Sequence, residues 1–361
     1  MKLLKILIYF LVFTILLPSC KNDKKNSETE TILTEENNIK YAKGFDIQHF
    51  ENYTKLILKA PYQNSTETFQ FILTSKKSNH DINTIQIPIN SIVVTSTTHI
   101  PFLELLNVEN KLVGFPNTDY VSSEKTRSLI AKGLVKELGH EESINTELLL
   151  DLKPDLVVGF SLNSNNKMFA TIEKFGIPVL LNGDWLEETP LGRAEWIKFF
   201  GVLFDKEKEA DSVFNNIEKN YLDAESIASK ASEKPTVISG GLFKDIWNLP
   251  AGESFEATFL RDANTNYLWA SSKGKGSLSL NIENVFEKGK DADLWVSPSY
   301  YKTSKQLGNA NGMYPEFKAI KNRNIFTYVN KQGEKGGVIY FELAPARPDL
   351  VLKDIIKMAH P

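Results

Sequence analysis

KEKEADSVFNNIEKNYLDAESIASKAS, residues Lys206–Ser232, is the stretch from which the architecture is read. Its apolar residues Ala210, Val213, Phe214, Ile217, Tyr221 and Ala224 recur at three- and four-residue spacing, the period of a helix that buries one stripe. Asp205 is placed to cap this run, and Glu207 and Glu209 fall in its first turn, where the positive end of the helix dipole favours carboxylates. The preceding run, Pro190–Phe204, has proline at a helix start and carries Trp196, Phe199, Phe200 and Leu203 on the same spacing. Thr189–Glu233 therefore reads as one long helical connector, of which Lys206–Ser232 alone spans roughly 40 Å, the width of a domain. On either side, segments of similar size alternate short apolar strands with helical patterns, so the expected fold class is α/β, with two lobes joined by a rigid helix.

At 361 residues and 42 % apolar content the chain can bury a core in each of two domains. Net charge is -3 and becomes more negative once Lys2 and Lys5 are removed, which argues against nucleic acid as a partner. Those two lysines precede an apolar run, Ile6–Leu17, too short to span a bilayer but of the size of a signal-peptide core. The run ends Leu17-Pro18-Ser19-Cys20, and Cys20 is the sole cysteine, so no intramolecular disulfide forms. A cysteine three residues after a leucine and behind a small residue resembles a bacterial lipobox, which implies cleavage before Cys20 and a membrane anchor through lipid on it. Lys21–Lys40 is polar and without periodicity, as a flexible tether is. The expected divisions are a signal peptide (1–19), the lipidated cysteine and tether (20–40), a β-hairpin extension (41–90), an N-terminal lobe (91–188), the connector (189–233) and a C-terminal lobe (234–361).

The extension is read from alternating runs such as Lys55-Leu56-Ile57-Leu58 and Phe69-Gln70-Phe71-Ile72-Leu73, separated by turn residues. In the first lobe Ser91–Thr95, Leu112-Val113-Gly114, Leu156–Gly159 and Val179–Leu181 are short and apolar enough to be buried parallel strands. In the second, Thr236–Ser239, Leu294–Ser297 and Ile325–Tyr328 repeat the scheme. Ligands of open α/β sheets sit beyond the carboxyl ends of the strands, here at 96–99, 115–120, 160–163 and 182–188, then 240–247, 298–302 and 330–340.

Two segments match across the lobes. Asn145-Thr146-Glu147 opens a helix leading through Lys153-Pro154-Asp155 into a strand; Asn281-Ile282-Glu283 does the same through Asp291-Ala292-Asp293. Asparagine is a good helix cap and a glutamate two positions on sits exposed in the first turn, so capping alone explains either one. As a pair they present one carboxylate from each lobe, a geometry suited to a two-fold partner.

Glu147-Leu-Leu-Leu-Asp-Leu-Lys-Pro-Asp-Leu-Val-Val158, with Ser91-Ile-Val-Val-Thr-Ser96 and the second copy Asn281–Val296, resembles the helix-linked (class III) periplasmic substrate-binding proteins of ABC importers for ferric siderophores, haem and cobalamin. The extension, with Pro190–Trp196 and Trp247–Phe255, looks like a Bacteroidetes-type lipoprotein branch. The resemblance covers roughly Ser91–Pro361 and implies two Rossmann-like lobes, no cofactor, no enzymatic activity and a monomer. It implies capture of an iron chelate, or alternatively a corrinoid or haem, in the periplasm or at the cell surface. It also implies docking of Glu147 and Glu283 on arginines of an ABC permease dimer.

Candidate ligand contacts are Ser96, Thr97, Thr98 and His99 in the first loop, with Trp185, Phe243, Lys244, Trp247, Tyr300 and Tyr301. Aromatic faces suit a large planar or macrocyclic ligand, cations suit carboxylates or catecholates of a chelate, and free N–H groups before a helix receive anions. Arg193 reads as a bridge to Glu188 or Glu195, or else as a ligand contact. Tyr340-Phe341-Glu342, after Gly336-Gly337, is placed to close the cleft. With five histidines and only His99 in a strong loop, a bare metal site is not expected. An exported α/β hydrolase is the rival class, but no Gly-x-Ser-x-Gly elbow occurs, and Ser96 with His99 lacks an orienting acid.

Overall fold

The computed structural model describes residues 39–76, 81–140, 143–163 and 166–361; the expected signal peptide, Cys20 and nearly all of the tether lie outside them. The chain enters through strands β1 (Phe45–His49), β2 (Thr54–Lys59), β3 (Thr68–Thr74) and β4 (Thr84–Gln86), which form one sheet in that order. The hairpin read there is its centre, β2 and β3, and a further strand pairs on each side. Leu56, Leu58, Phe71 and Leu73 alternate inward and join the same core as the first lobe, so the extension is part of that lobe rather than an appendage.

The N-terminal lobe runs β5 (Ile92–Val94), α1 (Ile100–Leu105), β6 (Leu112–Phe115), α2 (Glu124–Ala131) and β7 (Lys136–Glu137). A short hairpin of β8 (Gly139–His140) and β9 (Ser143–Ile144) leads to α3 (Thr146–Leu152), β10 (Leu156–Gly159), α4 (Lys167–Lys174) and β11 (Val179–Leu181). Its parallel sheet has the order β11-β10-β5-β6-β7. Ile92 and Val94 enter one core and Val93 the core on the other face, which is why the strand is continuously apolar.

The connector is three helices, not one: α5 (Pro190–Glu195), α6 (Ile197–Leu203) and α7 (Glu207–Ala228). Asp205 does not cap α7; it takes a left-handed φ of 56° in the turn between α6 and α7, and Lys206 occupies the cap position without a side-chain bond. Gly201 permits that turn, since a Cβ there would lie 2.6 Å from the Cβ of Ala210. The buried stripe of α7 follows the spacing read from the sequence and changes lobe part-way. Ala210, Phe214 and Ile217 belong to the N-terminal core, Tyr221 and Ala224 to the C-terminal one.

The C-terminal lobe continues with β12 (Thr236–Ser239), β13 (Gly241–Phe243), β14 (Ile246–Pro250), α8 (Phe255–Asp262), β15 (Asn266–Tyr267) and β16 (Ser277–Leu280). It closes with α9 (Ile282–Gly289), β17 (Leu294–Val296), α10 (Ser304–Ala310), α11 (Lys318–Lys321), β18 (Ile325–Phe326), α12 (Ile339–Leu343) and α13 (Pro348–Ala359). Its parallel sheet is β15-β12-β17-β18, with a small antiparallel sheet β13-β14-β16 beside it. The sequence repeat has a structural counterpart at the strand starts. Asp155 accepts the N–H groups of Asn90 (2.7 Å) and Ser91 (3.0 Å), and Asp293 accepts the Thr236 N–H (2.8 Å) and hydroxyl (2.7 Å). In each lobe an aspartate ahead of one central strand pins the start of its neighbour.

The stripe makes a stability prediction. Phe214→Ala leaves a cavity at the lobe junction and should cost about 3–5 kcal/mol, whereas Leu222→Ala on the outer face should stay within about 0.5 kcal/mol. Urea denaturation of both variants measures the contrast.

Candidate functional site

Both parallel sheets present the carboxyl ends of their strands to the junction between the lobes. Several residues that follow strands adopt the left-handed backbone region away from glycine: Asn117 after β6, Lys244 after β13, and Ser297 and Ser299 after β17. Such conformations are unfavourable for L-residues and concentrate where a loop must aim side chains. The same loops leave large apolar side chains in water: Tyr120 and Leu162 on the first lobe, Phe243 and Tyr300 on the second, with Phe341 on α12. Tyr300 is 72 % exposed and Phe243 68 %, so both rings stand open to solvent.

The loops of the two lobes also touch. Glu342 on α12 is buried and accepts the backbone N–H of Ser122 (2.7 Å) and of Ser123 (2.9 Å) from the other lobe. Burial, reinforced by the nearby Glu104 carboxylate and opposed by those two donors, pushes the Glu342 carboxyl up to about 7. Glycine makes the contact possible: a Cβ at Gly337 would sit 2.4 Å from the Tyr120 carbonyl oxygen, and one at Gly333 2.6 Å from the Ser122 Cα.

Where the lobes meet lies a polar cluster around Asp184 and Arg193. Asp184 is buried, and burial, partly offset by the Arg193 charge, pushes its carboxyl up to about 6. Arg193 donates to the carbonyls of Glu187 (3.2 Å) and Trp185 (3.0 Å) and lies 3.8 Å over the Phe255 ring, linking the lobes. It is a structural bridge, but neither to Glu188, which pairs with Lys43 and Lys275, nor to Glu195. Trp185 stands edge-on to Phe160 at 5.4 Å and is half-buried.

Two expected ligand contacts are core residues instead. His99 is completely buried beside Phe200 (5.7 Å), because the turn after β5 directs it back under α1. Trp247 is completely buried because strand alternation turns it inward, where it stacks on Trp295 (5.1 Å) and donates to the Ser239 carbonyl (3.0 Å). Ser96 caps the turn at 97–99 through its hydroxyl, which meets Thr98 Oγ1 at 2.9 Å; Thr97 and Thr98 are half-buried there. Phe243 and Lys244 are exposed, the Lys244 ammonium 5.6 Å over the Phe243 ring, while Tyr301 packs part-buried against its lobe. Tyr120, Leu162 and Asp184 were not singled out from sequence; they sit in loops expected to bind, but nothing in their local pattern separates them from loop filler, whereas Glu342 belongs to the segment expected to close the cleft.

Glu147 and Glu283 lie exposed in the first turns of α3 and α9, behind caps in which Asn145 accepts the Leu148 N–H (3.0 Å) and Asn281 the Asn284 N–H (2.9 Å). Among the described residues no group of three or more His, Cys, Asp or Glu side chains is arranged to hold a metal ion.

Two lobes, a helical connector and facing strand ends define a fold that comparison with known proteins names. The sequence profile of the family described as periplasmic binding protein matches residues 92–331. The chain belongs to the periplasmic binding protein family. This periplasmic binding protein is similar, at 25 % identity, to an uncharacterized lipoprotein of Methanocaldococcus jannaschii, over 100 % of this chain and 93 % of the relative. Among solved structures it shares its fold with a possible iron-binding periplasmic solute-binding protein of Staphylococcus epidermidis (TM-score 0.60, 20 % identity, 76 % of this chain and 100 % of that one). It shares it also with a periplasmic haem-binding protein of Vibrio cholerae (TM-score 0.56, 19 % identity, 73 % and 99 %). Members of this family are substrate-binding proteins rather than enzymes.

The site makes a pH prediction. Burial pushes His99 down to about 3, so it stays neutral in the fold, while in the unfolded chain it titrates near 6.5. The unfolded state therefore binds the extra proton first, and stability is lost as pH falls below about 6.5, by roughly 1.4 kcal/mol per unit. His99→Phe keeps a ring against Phe200 and should lack this component; the difference between the two chains in urea midpoint at pH 7 and pH 5 reads it.

Proposed function

We propose that this chain is a lipid-anchored binding protein that captures a ferric-siderophore-type iron complex between its lobes and delivers it to a permease dimer. The observation that carries the reading is the set of exposed aromatic side chains at strand ends of both lobes, Tyr120 on one with Phe243 and Tyr300 on the other. Flat apolar surfaces gain most by covering a rigid, partly aromatic ligand, and Lys244 and Lys302 lie beside Phe243 and Tyr300, with Lys331 after β18, to meet its acidic groups. Ser96, Thr97, Thr98, Trp185 and Tyr301 complete the proposed contact set. Cobalamin or haem is the second reading, supported by the same aromatic surface and by the fold shared with a haem-binding protein. The lipobox-like Leu17–Cys20 and the likeness to an uncharacterized lipoprotein support an anchor on Cys20, in the periplasm or at the cell surface.

Titration of the soluble form, residues 21–361, with ferric hydroxamates, ferric catecholates, haem and cobalamin decides the cargo, with tryptophan fluorescence as the readout. Tight binding of one ferric chelate is the expected result, and Phe243→Ala and Tyr300→Ala should each weaken it about tenfold. Unchanged affinity in both variants removes these aromatic side chains from the site, and tight binding of haem or cobalamin alone replaces the cargo.

Glu147 and Glu283 are proposed as the docking pair for the permease. Replacing both by lysine should leave affinity unchanged and abolish import in cells that depend on this protein; normal import excludes the docking role.

A further inference from the structure

We propose that residues 40–44, the segment through which the chain enters the folded body, form a brace that holds the two lobes in register at the connector. Five successive backbone N–H groups of this segment end on two carboxylates of the connector region. Lys40 donates to both oxygens of Glu195 (2.9 and 3.0 Å), and Tyr41 (2.6 Å) and Ala42 (2.9 Å) donate to its Oε2. Lys43 and Gly44 both donate to Glu187 Oε1 at 2.8 Å, which also accepts the Trp196 indole N–H at 3.1 Å. An irregular segment ordinarily satisfies its N–H groups in turns or in water; here every one is charge-assisted.

Both acids are buried, Glu195 completely, so they carry a desolvation cost that local packing alone does not require. Lys198 offsets it from 3.2 Å on Glu195 and reaches on to Asp211 of α7 at 3.4 Å. The segment touches the connector where its buried stripe changes lobe. Tyr41 packs against both hydrophobic cores and donates its hydroxyl to Glu218 of α7 at 2.5 Å, and the Lys40 ammonium pairs with the same carboxylate. Gly44 has no room for a side chain, because a Cβ would lie 2.6 Å from the Trp196 ring. On α5 the change of lobe is repeated: Leu191 belongs to the C-terminal core, Ala194 and the following Trp196 to the N-terminal one. The brace therefore binds across the junction itself, and any pull on the chain upstream of residue 39 is delivered there rather than to a single lobe.

Hydrogen exchange read by mass spectrometry tests the idea on the chain from Lys21, comparing the native sequence with Glu195→Gln and Tyr41→Ala. The decisive readout is the Glu342 clasp, which shares no residue with the brace. A brace that sets lobe register predicts that exchange of the Ser122 and Ser123 N–H groups rises about tenfold or more in both variants, with unchanged helical circular dichroism. Faster exchange confined to residues 40–44, with the clasp as protected as before, overturns the proposal and leaves the segment a local tie. Tyr41→Ala removes a half-buried ring and its hydroxyl bond to Glu218 but keeps both buried acids paired, so it supplies the result even if Glu195→Gln does not fold.

Discussion

One apolar stripe belongs to two cores. On α7 it passes from Phe214 and Ile217 to Tyr221 and Ala224 within a single helical turn, and the hydrophobic core changes with it from that of the first lobe to that of the second. A helix interior resists bending because each bend strains several hydrogen bonds at once, so two cores seated on one helix have few relative orientations available. The facing of the two sets of strand ends, and with it the cleft, depends on that constraint. Motion of the lobes is accordingly expected to be modest, in contrast to proteins whose lobes are joined by loops.

A second theme is the carboxylate used as a receptor for backbone N–H groups, buried at Glu187, Glu195 and Glu342 and more open to solvent at Asp155 and Asp293. Glu187 and Glu195 hold the entering chain, Glu342 ties one lobe to the other, and Asp155 and Asp293 pin neighbouring strand starts. A carboxylate accepts several donors at once and can join backbone segments that have no sheet register between them. Each such joint binds distant segments, and at the three buried glutamates a charge that loses its donors is costly, which makes those contacts specific as well as strong.

The proposed site combines rigid groups with exposed ones. The rigid groups are locked by packing or hydrogen bonds, such as Arg193 between two carbonyls and Phe255. The exposed ones are rings on short loops, some with left-handed backbone that holds the loop shape. That division suits capture of a bulky solute, with orientation set by a fixed frame and most of the contact area supplied by aromatic surface.

By itself the sequence determined the two α/β lobes, the buried parallel strands, the helical stripe and the matched Asn-x-Glu caps, because all of these rest on spacing within a few residues. It also placed the loops between these elements, since they follow from where strands end. What it did not determine is which way a residue in those loops points. Trp247 and Phe243 are both aromatic residues near one turn, yet one is core and the other is in water, a difference set by pairing of β14 between β13 and β16. His99 is likewise a loop residue by pattern and a core residue by the geometry of the turn that follows β5. The breaks in the connector, the two strands that enlarge the hairpin, and the carboxylate ties of Glu195 and Glu342 were decided by tertiary structure alone. Their partners are 153 to 155 and 219 to 220 residues away, and no local pattern carries information over that distance.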